Sequence, residues 1–128
     1  METGGQPECR PGALLGIALA LLKAPERWTC GPLAIDARGR AVQAAADGAV
    51  AWSGVGAVLR AASLYRLSRN SGPFLTALAC LRRAVGAADL FVWDGNPQRS
   101  HAEILDGFRR AIVLAHAVEM DRAERRAA

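Results

Sequence analysis

Ser100-His101-Ala102-Glu103-Ile104-Leu105-Asp106-Gly107-Phe108-Arg109-Arg110-Ala111-Ile112 is the stretch on which the reading of the fold turns. Ser100 stands three residues before Glu103, the spacing of a capping box in which each side chain accepts from the other's free backbone N–H. Behind this pair, Ile104, Leu105, Phe108, Ala111, Ile112, Ala115 and Val118 recur on one face of a 3.6-residue period. The pattern predicts a long amphipathic helix from Ser100 to about Glu119. Residues 121–128 are charged or alanine, and are expected to fray into solvent as a tail.

Working upstream, Asp94-Gly95-Asn96-Pro97 carries turn chemistry at every position. The apolar run Asp89-Leu90-Phe91-Val92-Trp93 before it suits a strand or a buried extended segment. Pro73 fits the first turn of another helix, in which Phe74, Leu78, Leu81 and Val85 form the buried stripe, Arg82 and Arg83 face solvent, and Gly86 is the stop. Ala44–Ala62 reads as a helix with Asp47 as N-cap and Trp52, Val55, Leu59 and Ala62 on one face. Gly54 and Gly56 lie inside it, where each glycine costs about 1 kcal/mol relative to alanine. Close backbone packing, against the first helix or an indole ring, is the expected compensation.

Between Glu26 and Gln43 the period changes. Leu33 and Ile35 alternate with Ala34 and Asp36, Asp36-Ala37-Arg38-Gly39 has turn character, and Arg40–Gln43 follows, so a short β-hairpin or ordered loop is expected. Gly12–Lys23 is a buried helix with Leu14, Leu15, Ala18, Leu21 and Leu22 on its inner face, ended by Pro25. Residues 1–11, with Gly4, Gly5, Pro7 and Pro11, read as a disordered leader. The fold class that results is mainly α: a compact bundle of about four helices with a short β-hairpin or extended segments between them, forming one domain over residues 12–120.

The composition suits that architecture. Of 128 residues 52% are hydrophobic but only 5% aromatic, so the interior must be built largely from Ala and Leu, which are strong helix formers and allow close helix approach. The formal net charge is +4, and all but one of the 16 basic residues are arginine, the exception being Lys23. The arginines are scattered and form no basic run of the kind that marks a nucleic-acid arm. Cys9, Cys30 and Cys80 include no pair at metal or redox spacing, and are read as reduced thiols, Cys80 in the core and Cys9 in the leader. The apolar segment Gly12–Leu22 is too short to span a bilayer, and Glu2, Glu8 and Lys23 spoil a secretory signal, so the expectation is a cytoplasmic chain without membrane association.

Chemistry concentrates at Trp93, Asp94, Asn96, Arg99, His101 and Glu103, on a turn and at a helix N-terminus, where free N–H groups and Arg99 favour an anion. The same residues also serve turns and a cap, so a structural and a functional role compete for them. His101-Ala102-Glu103 has the His-x-Glu form of zinc deaminases, but no cysteine follows Cys80 to complete the metal site. His101 and His116 are about 22 Å apart along one helix. Gly54-Val55-Gly56 begins a dinucleotide fingerprint, but Leu59 occupies the third glycine position. No catalytic residue, metal or cofactor is assigned.

The series Pro25-Glu26-Arg27-Trp28, Gly31, Ala34, Asp36, Gly39, Trp52 with Val55-Gly56-Ala57, Trp93 before Arg99-Ser100-His101-Ala102-Glu103, and Phe108 with Ala111-Ile112 resembles a family of small proteins of actinobacteria, proteobacteria and their phages that is classed as a domain of unknown function. The resemblance runs from about Leu14 to Leu114. Ser53 stands where the family often has cysteine, and Trp93-Asp94-Gly95-Asn96 replaces a Trp-Asn-Asp-like run. It implies a bacterial or phage source and a compact fold, with no reaction attached. The functional expectation is a noncatalytic module that binds another protein. The alternatives are a ligand-binding protein or enzyme centred on Trp93–Glu103, and a weak nucleic-acid binder acting through the scattered arginines.

Overall fold

The structure, a computed structural model, describes residues 9–127. Its first helix, α1 (Pro11–Leu22), opens on a proline at N1 and has Leu14, Leu15, Ala18 and Leu22 fully buried. It packs against three other helices, α2 (Gly54–Leu64), α3 (Gly72–Val85) and α5 (His101–Ala127), and so forms the centre of the bundle. No side chain of its own caps it. Instead the Glu119 carboxylate, arriving from α5, accepts from Gly12 N at 2.9 Å. The ordered chain therefore begins earlier than the sequence suggests: Pro11 is helical and Cys9 is buried, while the rest of the expected leader, residues 1–8, lies outside the described residues.

A single 3-10 turn at Pro25–Arg27 follows, and then the predicted hairpin takes an unexpected form. Strand β1 (Ala34–Asp36) enters the tight turn at Asp36–Gly39, where Asp36 accepts from Arg38 N and Arg40 N, and Gly39 adopts φ +79°. The returning residues make one isolated bridge, Ile35 to Ala41, and then leave. The true partner is β2 (Ala49–Trp52), antiparallel, pairing Ala34 with Trp52 and Ile35 with Ala51. Gln43-Ala44-Ala45-Ala46-Asp47-Gly48, with little strand character, loops away between the bridge and β2, where Val50 and Trp52 suit a pleated strand.

β2 occupies residues expected to be helical, and this is a correction to the predicted Ala44–Ala62 helix. Asp47 sits in a turn and caps nothing; the helix begins at Gly54, with Ser53 as N-cap accepting from Gly56 N at 3.0 Å. Every residue from Ala51 to Val58 is buried, so the strand-to-helix junction is the best-shielded part of the backbone. Gly56 explains itself here, because a Cβ would overlap the Leu33 carbonyl. Close backbone packing is thus present, with the β1 approach as its partner.

α3 follows the prediction at its ends, with Pro73 in its first turn and Gly86 in the left-handed conformation closing it, but its buried face is Phe74, Ala77, Cys80 and Leu81, with Leu78 and Val85 half-buried at its edge. The next segment does not. Asp89–Trp93, expected to be extended, forms the short helix α4 (Leu90–Gly95), capped by Asp89, whose Oδ1 accepts from Phe91 N at 2.9 Å. The helical period turns Leu90, Trp93 and Asp94 inward and leaves Phe91 and Val92 outside. α5 then runs to Ala127, so residues 121–127, expected to fray, continue the helix as an exposed extension.

The core lies where α1, α2, α3 and α5 meet. Leu14, Leu15, Leu22, Val55, Val58, Leu81, Ile104 and Phe108 are its largest fully buried apolar side chains. Ala18, Ala57, Ala61, Ala77, Ala111 and Ala115 are also wholly buried, which is how an interior poor in aromatic residues still closes.

Candidate functional site

The cluster Trp93–Glu103 spans α4, its exit turn and the first turn of α5, and its members point in three directions. Asp94 points inward. It is 3% exposed, its Oδ1 accepts from Gly54 N at 2.7 Å, and its Oδ2 accepts from Val55 N at 3.0 Å. The first N–H groups of a helix lack intrahelical partners and carry its positive end, so a carboxylate there is stabilising. Asp94 is the anion at the N-terminus of α2, supplied by the chain from 40 residues away. Burial pushes its carboxyl above the usual range, and the bonds from Val55 N, the Ser53 hydroxyl and Gly54 N pull it back only in part.

His101 faces a different element. Its Nε2 lies 2.6 Å from the Leu22 carbonyl, which can only accept, so this nitrogen carries the proton and ties α5 to the last turn of α1. The imidazole also packs at 5.6 Å against the Trp28 ring. Trp28 Nε1 is buried and has no acceptor among the described residues.

Arg99 and Glu103 occupy the surface. Arg99 Nε donates to the Trp93 carbonyl at 3.2 Å, its guanidinium lies 5.2 Å from the Trp93 ring centre, and Nη1 is 3.7 Å from Glu103 Oε2. The predicted capping box is formed: Ser100 N donates to Glu103 Oε1 at 2.8 Å, and Glu103 N donates to Ser100 Oγ at 3.1 Å. The Ser100 N–H holds the Glu103 carboxyl below its usual range. Asn96 Oδ1 accepts from Gln98 N at 2.9 Å, and the Asn96 carbonyl faces Cys30 Sγ at 3.5 Å. Trp93, the indole best placed by sequence to line a ligand surface, is 7% exposed, with its ring against Gly107.

These six residues therefore share no common cleft. Asp94 serves α2, His101 serves α1, and Asn96, Arg99 and Glu103 serve the turn and the cap of α5. A separate depression of about 220 Å³ lies between Cys9 and the end of α5, where Arg10, Arg122 and Arg126 gather. Those arginines share it with Glu119, the carboxylate that already takes the Gly12 N–H. Burial raises the thiols of Cys9 and Cys80, which suits core packing and not nucleophilic chemistry. Among the described residues, no group of three His, Cys, Asp or Glu is placed to hold a metal ion, and no helix is long and apolar enough to cross a membrane.

The exposed surface adds a feature that sequence reasoning missed. Phe91 and Val92, expected to be buried in a strand, are 63% and 68% exposed on α4. On one side of them an open groove of about 410 Å³ runs between α3 and α4, walled by Leu75, Leu78, Ala79 and Phe91. On the other, a second open groove of about 480 Å³ is walled by Val85, Ala87, Val92 and Trp93. The signal that could have found them is Asp89, an N-cap residue type directly before Leu90.

The order of tryptophans, glycines and the final helix start now has a structural meaning: Trp52, Gly56, Trp93 and Ser100 all lie at junctions of the fold. Residues 7–114 match a family of unknown function, DUF6197. The chain belongs to DUF6197. The match covers α1 to α4 and the first half of α5, and ends before the exposed extension of that helix. For this DUF6197 chain, comparison with curated proteins and with solved structures found no match.

Proposed function

We propose that the chain is a noncatalytic module that binds another protein. The observation that carries this reading is the use of the polar cluster: Asp94, Asn96, Arg99, His101 and Glu103 each make a side-chain hydrogen bond to a backbone group, and these groups belong to different elements. A catalytic group has to face the reacting atom with an unoccupied donor or acceptor. Here the nearest acid and the nearest imidazole serve different helices. The exposed apolar pair Phe91 and Val92, by contrast, contributes nothing to the core, and adjacent large apolar side chains left in water are characteristic of interaction surfaces.

The resemblance and the composition support placing the module in the cytoplasm of a bacterium or of a phage host. No observation favours the alternatives of an enzyme or ligand-binding protein at Trp93–Glu103, or of a nucleic-acid binder.

The test is affinity capture of the tagged full chain from a native lysate, quantified against an unrelated tagged protein. The reading expects one protein to recur in near-stoichiometric amount; recovery of nothing above control would overturn it. A parallel assay with Glu103→Gln guards against a hidden activity, because glutamine also serves at that position of the cap. Capture should be unchanged and stability only slightly lowered.

A further inference from the structure

Asp-Gly occurs at Asp47-Gly48, Asp94-Gly95 and Asp106-Gly107. This dipeptide can rearrange its own backbone, because glycine has no Cβ to keep its nitrogen away from the preceding side chain. The glycine nitrogen attacks the aspartate Cγ, its proton and a carboxyl oxygen leave as water, and a succinimide ring closes. Water then adds at either ring carbonyl. Opening on the Cα side leaves isoaspartate, in which the main chain runs through the side-chain methylene and the α-carboxylate becomes the side group. The water lost is regained, so the mass is unchanged and no oxidant or further reactant is required. We infer that Asp47 is the site of this modification in the folded chain, and that the fold shields Asp94 and Asp106 from it.

Asp47 and Gly48 are the central residues of an exposed turn, closed by Ala49 N donating to the Ala46 carbonyl at 3.1 Å. Among the described residues, neither the Asp47 carboxylate nor the Gly48 N–H has a hydrogen-bond partner. Nothing lies within 4 Å of where a Gly48 Cβ would be, so the ring has room to close. At the other two sites the attacking nitrogen is committed. Gly95 lies in α4 and Gly107 in α5, where the N–H is the donor of the helix's own bond, and ring closure needs the helix to open locally. The carboxylates are held as well, Asp94 by Gly54 N and Val55 N, and Asp106 Oδ2 by Arg110 Nε at 3.0 Å. Gly107 is also buried, with the Trp93 ring against it.

The exposed turn joins two anchored points. The Ala46 carbonyl also accepts from Arg60 Nη1 at 3.1 Å, and Ala49 pairs with Asp36 as the first residue of β2. Isoaspartate lengthens the main chain between them by one atom. That length is taken up at the Asp36–Ala49 pair, beside the irregularity already present between Ile35 and Asp36, while Ala34–Trp52 and Ile35–Ala51 stay in register.

The experiment incubates the folded full chain at neutral pH in water enriched in heavy oxygen, and follows each Asp-Gly by peptide mapping with electron-transfer fragmentation, which distinguishes isoaspartate from aspartate. Ring opening stamps a solvent oxygen on every residue that has passed through the succinimide. Label and isoaspartate should accumulate at Asp47 at least about tenfold faster than at Asp94 or Asp106, since those helices must first open locally. In the chain unfolded in urea the three rates should converge. Gly48→Ala, whose Cβ meets nothing within 4 Å, should remove most of the label at Asp47 without unfolding the chain. Asp47→Asn should enter the same ring faster, losing ammonia in place of water, and show as a mass gain at that residue. Equal rates at the three sites of the folded chain would overturn the assignment, as would an unlabelled Asp47 under conditions where the unfolded chain reacts at all three. So would a difference that persists in urea, since neighbouring sequence and not the fold would then set it.

Discussion

Two helix starts in this molecule solve one problem by opposite means. α5 begins in solvent and is capped by its own sequence, Ser100 and Glu103 three residues apart. α2 begins in the most deeply buried segment of the chain, and two of its free N–H groups are taken by Asp94, 40 residues downstream on α4. Water could replace the first cap; the second is shielded from water among the buried residues Ala51 to Val58. A cap's importance therefore depends on what its loss would expose, and a buried N–H without an acceptor costs far more than a solvated one.

The largest consequence is expected at Asp94. Asp94→Ala strands Gly54 N and Val55 N in the interior, and should lower unfolding stability by about 3–5 kcal/mol in urea denaturation. A loss under about 1 kcal/mol would mean that the two caps are equivalent. Gly56→Ala comes next. Alanine would normally favour a helix, but here its Cβ overlaps the Leu33 carbonyl, and a loss of about 2–3 kcal/mol should be read in the same assay. Ser100→Ala, at the solvated start, should cost about 1 kcal/mol.

The two carboxylates should also respond to pH with opposite signs. Burial raises the Asp94 carboxyl in the folded chain, so the fold holds that proton more tightly than the unfolded chain does. Stability contributed there is fully present below the ordinary carboxyl range, and declines as pH rises through the raised value. Glu103 is lowered by its bond from Ser100 N, so its contribution is present above the ordinary range and is lost as pH falls through the lowered value. Denaturation of wild type, Asp94→Asn and Glu103→Gln from pH 3.5 to 7, at intervals of about half a unit, checks this. The difference between wild type and the Asn variant should shrink with rising pH, and that between wild type and the Gln variant should grow. The latter is the smallest effect of the set.

The same contrast explains what the sequence made legible. Signals that act within a few residues were readable: Pro25 ending α1, Pro73 and Gly86 bracketing α3, and Ser100 with Glu103 opening α5. The mainly helical bundle with a short hairpin follows from them. What was not readable depends on partners distant in the chain. Asp94-Gly95-Asn96-Pro97 has turn residues throughout, and only the approach of α2 converts Asp94 from a turn former into a buried cap. The hairpin turn at Asp36–Gly39 was visible, but the choice of Ala49–Trp52 over Arg40–Gln43 as the partner strand was not, because it is settled by how β2 delivers Ser53 to the start of α2. α4 was misread for another reason. Four apolar residues in a run, Leu90–Trp93, satisfy both periods, and Asp89 as cap decides for the helix.

For the candidate site, the sequence pointed to Trp93–Glu103 and left its role open between structure and function. In the structure the side chains of Trp93–Glu103 point to three different elements, and the neighbouring pair Phe91 and Val92 is exposed. One α4 helix thus serves both regions, gripping α2 with Asp94 on its inner face and presenting an apolar ridge on its outer face.

The central claim is that Asp94 is committed to the interior as the cap of α2. Amide hydrogen exchange at Gly54 and Val55, read by NMR in the wild type and in Asp94→Ala, tests it most directly. The account predicts both amides protected to the level of Val58 in the wild type, with a large loss of protection confined to the α2 start in the variant under conditions where it remains folded. Rapid exchange of Gly54 and Val55 in the wild type, or protection unaffected by the substitution, would contradict it.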